Sequence, residues 1–297
     1  MKIYYGITNN YIDVTDICSE KLKTNNIIYI PSGDVTRANY FTDPLYGIHK
    51  KVIIDHNDTL TEYDEYSNLK INMLTNKITA INEKEIDNKT RIIQSKLKIN
   101  YGSFNEELPE QKMVVRYLTG NEKVLEIGGN IGRNSLIIAS ILKKNNNNNF
   151  VSLECDPNIA KQLTENRDLN KFNFHIEPSA LSSRTLIQKG WDTMPSDTLL
   201  DEYTWVNTIT LENLKNKYSI EFDTLVLDCE GAFYYILLDM PDILSNINLI
   251  IMENDYHDIS KKNEIDDILV KNNFTRDYVE GGGWGPCVNN FFEVWIK

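Results

Sequence analysis

Four residues with acid–base or metal-binding side chains follow two short apolar segments of this sequence. Asp228 comes directly after one segment, and Glu253, Asp255 and His257 follow the other. If the chain stays extended there, the last three side chains alternate onto one side. A positioned carboxylate or imidazole can remove the proton of a hydroxyl group as a new bond forms. Oxygen ligands can instead hold a divalent cation such as Mg²⁺ or Mn²⁺, which lowers the pKa of the hydroxyl. We predict that these four residues are catalytic, with or without a metal.

A glycine-rich turn lies earlier in the chain, in the sequence KVLEIGGNIGRN at residues 123–134. Gly128, Asn130 and Gly132 form the turn between an apolar strand and a helical run, where glycines let the backbone approach a ligand closely. Glu126 lies in the strand just before the turn, and a carboxylate there favours a cationic ligand over a phosphate. S-adenosylmethionine (SAM) carries an ammonium and a sulfonium group. We therefore predict that this turn, together with Glu126, binds the methionine part of SAM.

The next two strands end in residues that suit the adenosine part of the same ligand. Glu154 ends the strand FVSLE and can accept both ribose hydroxyls, whereas Asp156 before a proline is a typical helix cap. Ser179 and Ala180 are small residues that would let an adenine lie flat, although an ordinary turn explains them equally well. Asp228 lies at the adjacent strand tip, so we also expect it beside the cofactor.

These residues need a scaffold in which strand ends converge, and the pattern of the second half of the chain predicts one. Apolar strand candidates at residues 123–128, 150–154, 173–177, 222–228 and 248–253 alternate with helical runs. Helix candidates are residues 106–118, 133–143, 157–169, 209–217, 232–245 and 260–272. Such alternation indicates a parallel sheet with helices on both faces, where ligands bind at the carboxyl ends of the strands.

Two further strand-like runs, at residues 274–280 and 290–296, close the chain. A terminal antiparallel hairpin is typical of a Rossmann-like SAM-dependent methyltransferase sheet. The connection between these runs is rich in glycine and contains Trp284. It could form a lid or an aromatic platform, or a plain turn with Trp284 in the core.

The first part of the chain differs in pattern. Short β-prone runs separated by turn clusters predict a small β-rich module at residues 1–75. Residues 76–100 read as a linker or connecting helix, and residues 101–297 as the methyltransferase domain.

Composition narrows the classes of partner. The net charge of −12 disfavours a large nucleic-acid footprint, which needs a basic surface. Four scattered cysteines without a C-x-x-C pair fit a reducing compartment. The N-terminus has no long apolar run, and no segment approaches the roughly 20 apolar residues that span a bilayer. We expect a soluble, cytoplasmic protein without a nucleic-acid or membrane partner; its oligomeric state is open.

Several motifs resemble those of one known family. The FkbM-type SAM-dependent methyltransferases have a glycine loop D-x-G-A-N-x-G, which residues 126–132 match as EIGGNIG. An Asp followed closely by E-G-A is matched by DCEGA at residues 228–232, and Glu253 resembles the family's later acid. The segment VNTITL before the fourth strand is also similar. Glu126 in place of Asp and Gly129 in place of Ala depart from the pattern.

This resemblance covers about two thirds of the chain and implies methyl transfer from SAM to a hydroxyl of a sugar or polyketide. We expect a sugar or glycan acceptor. An NAD-dependent oxidoreductase is a weaker alternative, because Asn130 stands where the second glycine of G-x-G-x-x-G belongs. A non-catalytic SAM-fold or glycan-binding protein is the other alternative.

Overall fold

The computed structural model describes residues 1–24 and 26–297, and it divides into two compact units, Met1–Lys89 and Thr90–Lys297. Each unit has its own cluster of buried apolar side chains. The second unit carries the predicted strand-and-helix alternation.

The first unit consists of two antiparallel four-stranded sheets with two short helices. Its elements are β1 (Lys2–Ile7), β2 (Asn10–Asp13), α1 (Thr15–Lys21), β3 (Lys23–Thr24), β4 (Ile27–Ile30), α2 (Asp34–Phe41), β5 (Lys51–His56), β6 (Thr59–Tyr63), β7 (Ser67–Asn72) and β8 (Ile78–Asn82). The sheet orders are β2-β1-β5-β6 and β3-β4-β7-β8. Alternate residues of β7 are buried, as expected for strands with one face on a core. The β-rich character predicted for this region is confirmed, and its sheet extends to Asn82.

The second unit begins within α3 (Glu83–Gln94) and continues with α4 (Leu108–Tyr117). The remaining elements are β9 (Val124–Ile127), α5 (Arg133–Lys143), β10 (Phe150–Leu153), α6 (Pro157–Leu169), β11 (His175–Glu177), β12 (Ala180–Leu181), β13 (Leu186–Lys189), β14 (Asp192–Pro195), β15 (Thr204–Val206), β16 (Thr208–Ile209), α7 (Leu211–Tyr218), β17 (Thr224–Leu227), α8 (Ala232–Asp239), β18 (Leu249–Glu253), α9 (Ile259–Lys271), β19 (Thr275–Glu280) and β20 (Phe292–Ile296).

A seven-stranded sheet in the order β11-β10-β9-β17-β18-β20-β19 is the centre of this unit. The first five strands are parallel, and β20 runs antiparallel to both of its neighbours. Every residue of β9, β10 and β17 is buried, as expected where helices cover both faces. The Rossmann-like sheet with a C-terminal antiparallel hairpin, predicted from the sequence, is confirmed.

Local signals set the start of α6 as the sequence predicts. The Asp156 side chain accepts hydrogen bonds from the backbone N–H groups of Asn158 and Ile159, and Pro157 occupies the first turn. This cap turns the chain away from the sheet immediately after β10. The loop after β10 therefore stays short and lies at the carboxyl edge of the sheet.

A small three-stranded antiparallel sheet, β14-β13-β15, is inserted between β12 and β16. The sequence analysis predicted no strands there. Leu186 and Gln188 on β13 are in register with Pro195 and Thr193 on β14, so these four side chains share one face. We call this segment the inserted sheet.

None of the helices in the described part of the chain combines the length and the apolar character that crossing a membrane requires.

Candidate functional site

A cavity of about 500 Å³ opens at the carboxyl ends of the central strands in the second unit. The glycine turn after β9, the loops after β17 and β18, and the inserted sheet provide its walls. The volume lies within the range of about 300–1,000 Å³ that is typical of small-molecule sites. The position agrees with the rule that open parallel sheets bind ligands at their carboxyl edge.

The glycines of the turn allow chain segments to approach one another closely. A Cβ atom on Gly128 would lie 1.5 Å from the Asp228 carbonyl oxygen, and one on Gly132 would lie 2.4 Å from the Leu163 side chain. Asn130 adopts a φ of 46°, in the left-handed region that asparagine tolerates better than most residues. Gly128 and Asn130 line the cavity. The turn thus holds β9 and β17 together where the cavity begins.

Glu154 at the end of β10 fastens this turn. One of its carboxylate oxygens accepts a hydrogen bond from the Asn130 N–H and the other from the Asp156 N–H, each at 2.9 Å. The side chain lines the cavity, and burial raises its pKa. Each oxygen retains a second lone pair, so both can still accept from a ligand hydroxyl.

Glu126 lies beneath the turn and not in the cavity wall, which differs from its predicted contact with the ligand. Its Oε2 accepts hydrogen bonds from the Ser135 hydroxyl at 2.5 Å and the Ser152 hydroxyl at 2.6 Å. Glu126 and Ser152 are paired in register on neighbouring strands, so both point to the same face of the sheet, toward α5. Burial raises the pKa of Glu126 to about 7.

Ser179 and Ala180 both line the cavity. The Ser179 hydroxyl donates to Glu177 at 3.0 Å, and Glu177 in turn forms an ion pair with Lys217 at 2.6 Å. Ala180 belongs to β12 and pairs with Thr208 in β16. This wall is therefore fixed by the strands behind it.

The tips of β17 and β18 bring three acidic side chains together. One oxygen each from Asp228, Glu253 and Asp255 lies within 4.8 Å of the others. Burial raises the pKa of all three carboxyls, that of Glu253 to about 11. The charges of Glu107 and Glu110 raise the pKa of Asp228 further, and a hydrogen bond with Glu110 adds to the shift of Glu253.

His257 is not one of the three clustered residues, although its charge lowers the pKa of Asp255. Its side chain is exposed, and its ring packs on Trp284 with 4.4 Å between the ring centroids. The strand ends at Glu253, so the alternation that would have carried His257 to the acids does not continue.

Trp284 is 42% exposed and lines the cavity, so the alternative that placed it in the core is wrong.

Several cavity residues were not singled out from the sequence. Glu110 on α4 is 7% exposed, and Glu230 after β17 makes a hydrogen bond with Asp255. Burial raises the pKa of Glu230 to about 7. The sequence predicted the helix that contains Glu110, but a helical pattern alone does not reveal which strand tip a given turn approaches. The DCEGA motif contains Glu230, but the motif does not indicate that this side chain contacts Asp255.

The opposite wall is aromatic and polar. Trp191, in the turn between β13 and β14, is 59% exposed and lines the cavity with Tyr235. Arg184 donates two hydrogen bonds to Asp239, at 2.5 and 2.6 Å, and lies over the Tyr235 ring. Gln188 of the inserted sheet makes a hydrogen bond with Cys155, the residue after Glu154.

Comparisons with known proteins place this chain among folds but not in a family. No family model matches the sequence, and no curated protein matches it. An O-methyltransferase from Bacillus cereus in complex with SAH is 14% identical and covers 72% of this chain and 90% of its own, with a TM-score of 0.42.

Two other solved structures are similar at the same low level. M. jannaschii TYW2 in complex with AdoMet is 13% identical and covers 85% of this chain and 86% of its own, with a TM-score of 0.35. A protein of the NADB-Rossmann superfamily from Streptococcus agalactiae is 10% identical and covers 63% of this chain and 66% of its own, with a TM-score of 0.39. At these levels of similarity, the strand order and the cavity are the features that bear on function.

Proposed function

We propose that this chain is a SAM-dependent O-methyltransferase that methylates a hydroxyl group of a sugar or glycan. One observation carries the proposal. A single cavity joins the glycine turn and Glu154 on one side to the carboxyls of Asp228 and Glu253 on the other. A methyl donor and an acceptor hydroxyl need such an arrangement, with a binding region and an acid–base region side by side.

The residues present fit SAM. Its ammonium and sulfonium groups are cationic, and the cavity is lined by acidic side chains with raised pKa values. Gly128 and Asn130 would face its methionine part, with Gly132 behind them at the start of α5. Glu154 would accept from the ribose hydroxyls. Glu126 would contribute to the binding of the methionine part from beneath the turn, since its carboxyl accepts hydrogen bonds from Ser135 and Ser152.

The adenine and the methyl group would meet different walls of the same cavity. Ser179 and Ala180 would lie along the adenine, and Asp228 would lie beside both cofactor and acceptor. The arrangement resembles the FkbM-type pattern of the sequence, and membership of that family is part of this proposal.

SAM supplies an electrophilic methyl group when bound, so the protein has to align the acceptor and remove its proton. Asp228 and Glu253 would accept that proton, and Asp255 would support them. Burial raises the pKa of all three carboxyls, and that of Glu253, at about 11, means that this carboxyl holds its proton at neutral pH in the absence of a cation. A positive charge in the cavity lowers those pKa values and leaves a carboxylate able to act as the base. His257 would support Asp255, whose pKa its charge lowers.

The aromatic side chains of the cavity support a carbohydrate acceptor. Trp191, Trp284 and Tyr235 offer ring faces, and aromatic rings pack well against apolar faces of other groups. Asp239 and Arg184 add fixed polar groups on the same wall. A divalent cation, Mg²⁺ or Mn²⁺, at the acids remains part of the proposed activation of the hydroxyl.

Calorimetry with SAM, S-adenosylhomocysteine and NAD tests the donor. We expect micromolar binding of the SAM pair and none of NAD. Preferential binding of NAD would overturn the proposal in favour of an oxidoreductase. Binding of SAM without turnover on any sugar, nucleotide sugar or glycan would favour a non-catalytic protein.

Turnover of an acceptor found in that screen tests the acid–base assignment. Asp228→Asn and Glu253→Gln should each lower kcat at least 100-fold, because general-base catalysis contributes about 10²–10⁴-fold. Glu202→Gln, an exposed carboxyl of the same unit, is the matched control and should leave kcat unchanged. Full turnover in both Asp228→Asn and Glu253→Gln, with SAM still bound, would show that the assignment is wrong.

A further inference from the structure

Glu110 adds a fourth carboxyl group to the acids at the strand tips. It lies on α4, which packs against β18, and its carboxyl shares a hydrogen bond with Glu253. Glu110 is 7% exposed and lines the same cavity. Its chain position is 118 residues before Asp228, so only the fold brings the two together.

Two oxygen atoms of this cluster are buried without a hydrogen-bond partner in the described structure. They are Oε2 of Glu110 and Oδ1 of Asp255, and the Asp255 side chain as a whole is 9% exposed. The hydrogen bonds that these two side chains do make are with other carboxyls, Glu110 with Glu253, and Asp255 with Glu230 and Glu253. A buried polar atom that lacks a partner has lost its hydrogen bonds to water without replacement, which destabilises the folded protein. Two such atoms in one cluster indicate that a group able to contact both oxygens belongs there.

The basic side chains of the surrounding walls are already engaged. Arg184 forms an ion pair with Asp239, and Arg133 forms ion pairs with Glu106 and Glu107. Four carboxyls held close together repel one another when ionised, so they require protons or a cation. A cation that contacts several oxygens would offset the repulsion and pair the two buried atoms.

The geometry points to a divalent cation site formed by Glu110, Asp228, Glu253 and Asp255. Two oxygens bound to one Mg²⁺ ion, each at about 2.1 Å, lie at most about 4.2 Å apart, and around a Ca²⁺ ion this limit is about 4.8 Å. The three oxygens at the strand tips, within 4.8 Å of one another, match the larger of these limits, and Glu110, which lies outside that set of three, would reach the ion from its contact with Glu253. An all-carboxylate set suits hard cations of the Mg²⁺, Mn²⁺ and Ca²⁺ class.

This inference deepens the proposed function, and it rests on that function only for the role of the ion beside the acceptor hydroxyl. Binding of the ion depends on the four carboxyls alone. It is therefore measurable without SAM and without turnover.

The test is titration of Mn²⁺ into the full-length, EDTA-treated protein, with free Mn²⁺ followed by electron paramagnetic resonance. We expect one strong site per chain. Glu110→Gln and Asp255→Asn should each weaken Mn²⁺ binding at least tenfold, because each replaces a charged ligand by a neutral amide of similar shape. Asp239→Asn removes a carboxylate from the same cavity but outside the cluster, and it should change affinity less than twofold.

Circular dichroism and thermal unfolding of each variant exclude misfolding as the cause of weaker binding. Mn²⁺ should also raise the Tm of the wild-type protein, and raise that of Glu110→Gln less, since a ligand that binds the folded state stabilises it. Absence of binding at millimolar Mn²⁺ would overturn the site. If Glu110→Gln bound Mn²⁺ with the affinity of the wild-type protein, Glu110 would not be a ligand and the four-carboxylate site would be rejected.

The two proposals fail separately. Binding of SAM in EDTA with no binding of Mn²⁺ would leave the methyltransferase proposal standing and reject the cation site. Binding of Mn²⁺ without binding of SAM would have the opposite meaning.

Discussion

Glu126 lies beneath the glycine turn and is not among the residues that line the cavity. Its carboxyl is fully enclosed and is held by the hydroxyls of Ser135 and Ser152. Burial is the main cause of its raised pKa, the charges of Glu107 and Glu154 add to it, and the hydrogen bonds from the two serines oppose it. The residue therefore links the stability of the glycine turn to pH.

We predict that Glu126→Gln changes the pH dependence of stability. The pKa of Glu126 is raised from 4.5 to about 7 by burial, so between these pH values the folded protein binds more protons than the unfolded chain. The free energy of unfolding must then fall as pH rises through this window, by about 3 kcal/mol in total. Glutamine does not titrate, so the variant lacks this loss.

Urea denaturation of both proteins from pH 4.5 to pH 8 measures the difference. Titrating groups that do not interact with Glu126 contribute equally to the two proteins and cancel on subtraction, which leaves Glu126 and its neighbours Glu107 and Glu154. A difference in unfolding free energy that does not vary with pH would contradict a raised pKa at Glu126.

Glu154 is the residue whose predicted role is most open to a direct test. If its carboxylate accepts from the ribose hydroxyls, the wild-type protein should bind adenosine more tightly than 2′-deoxyadenosine. Glu154→Gln should lose most of this preference, because its amide NH₂ presents hydrogen atoms where the ligand needs an acceptor. Calorimetry with both nucleosides gives the ratio of affinities, and an unchanged ratio would rule out the ribose role.

The residues at strand tips were predictable from the sequence, but their partners were not. Asp228 and Glu253 follow apolar runs that could only be buried strands, so the cavity edge was foreseeable. Glu110 was not, because its contact with Glu253 depends on how α4 packs against β18. Likewise, only the in-register pairing of Glu126 with Ser152 shows that Glu126 faces away from the cavity.

At the scale of elements, the glycine turn is shaped by its neighbours. A Cβ on Gly129 would lie 2.1 Å from the Ser152 hydroxyl oxygen and 3.5 Å from a Glu126 carboxylate oxygen. The sequence has glycine here where the FkbM-type pattern has alanine. The space that an alanine would fill is used by the serine that hydrogen-bonds Glu126.

We predict that Gly129→Ala destabilises the protein by about 1–3 kcal/mol, the usual cost of overpacking. Ser152→Ala removes the clashing oxygen, so the double variant should be more stable than the sum of the single changes implies. The coupling free energy should exceed about 1 kcal/mol in a double-mutant cycle measured by urea denaturation.

Gly128→Ala provides the contrast for this cycle. Its Cβ would meet a backbone carbonyl, and its φ of 90° is unfavourable for alanine, so Ser152→Ala should not rescue it. Additive effects of Gly129→Ala and Ser152→Ala would show that the two positions do not compete for the same space.

The parallel strands and their helices were predictable because their patterns are strong. Buried apolar runs and caps such as Asp156 predicted most element bounds within a few residues of those observed. The helix predicted at residues 232–245 is the exception, because it ends at Asp239, before Pro241. The inserted sheet was not predicted, because its strands are short and mix apolar and polar residues without a clear alternation, as in LIQK and DTMP. Its role as a cavity wall depends on tertiary placement, which no local pattern encodes.

At the scale of the whole molecule, the two units have separate apolar cores. The buried cluster of the first unit runs from Ile3 to Ile71, and that of the second from Ile93 to Trp295. The residues that line the described cavity all belong to the second unit. Ligand binding should therefore depend on the second unit alone.

We predict that a fragment of residues 83–297, which keeps α3 whole, folds and binds SAM within threefold of the affinity of the full chain. Calorimetry on both proteins, with circular dichroism to confirm folding of the fragment, checks this. A folded fragment that fails to bind SAM would show that residues 1–82 contribute to the site.

The placement of the tryptophans gives the molecule an optical property. Trp191 and Trp284 line the cavity, whereas the other two tryptophans do not: Trp205 is half-exposed on β15, and Trp295 is buried on β20 and donates to Glu293 at 3.0 Å. A ligand that fills the cavity must alter the surroundings of the first two indoles and leave the buried Trp295 unchanged. Occupancy can therefore be followed through intrinsic fluorescence quenching, without a label, against a constant internal emitter.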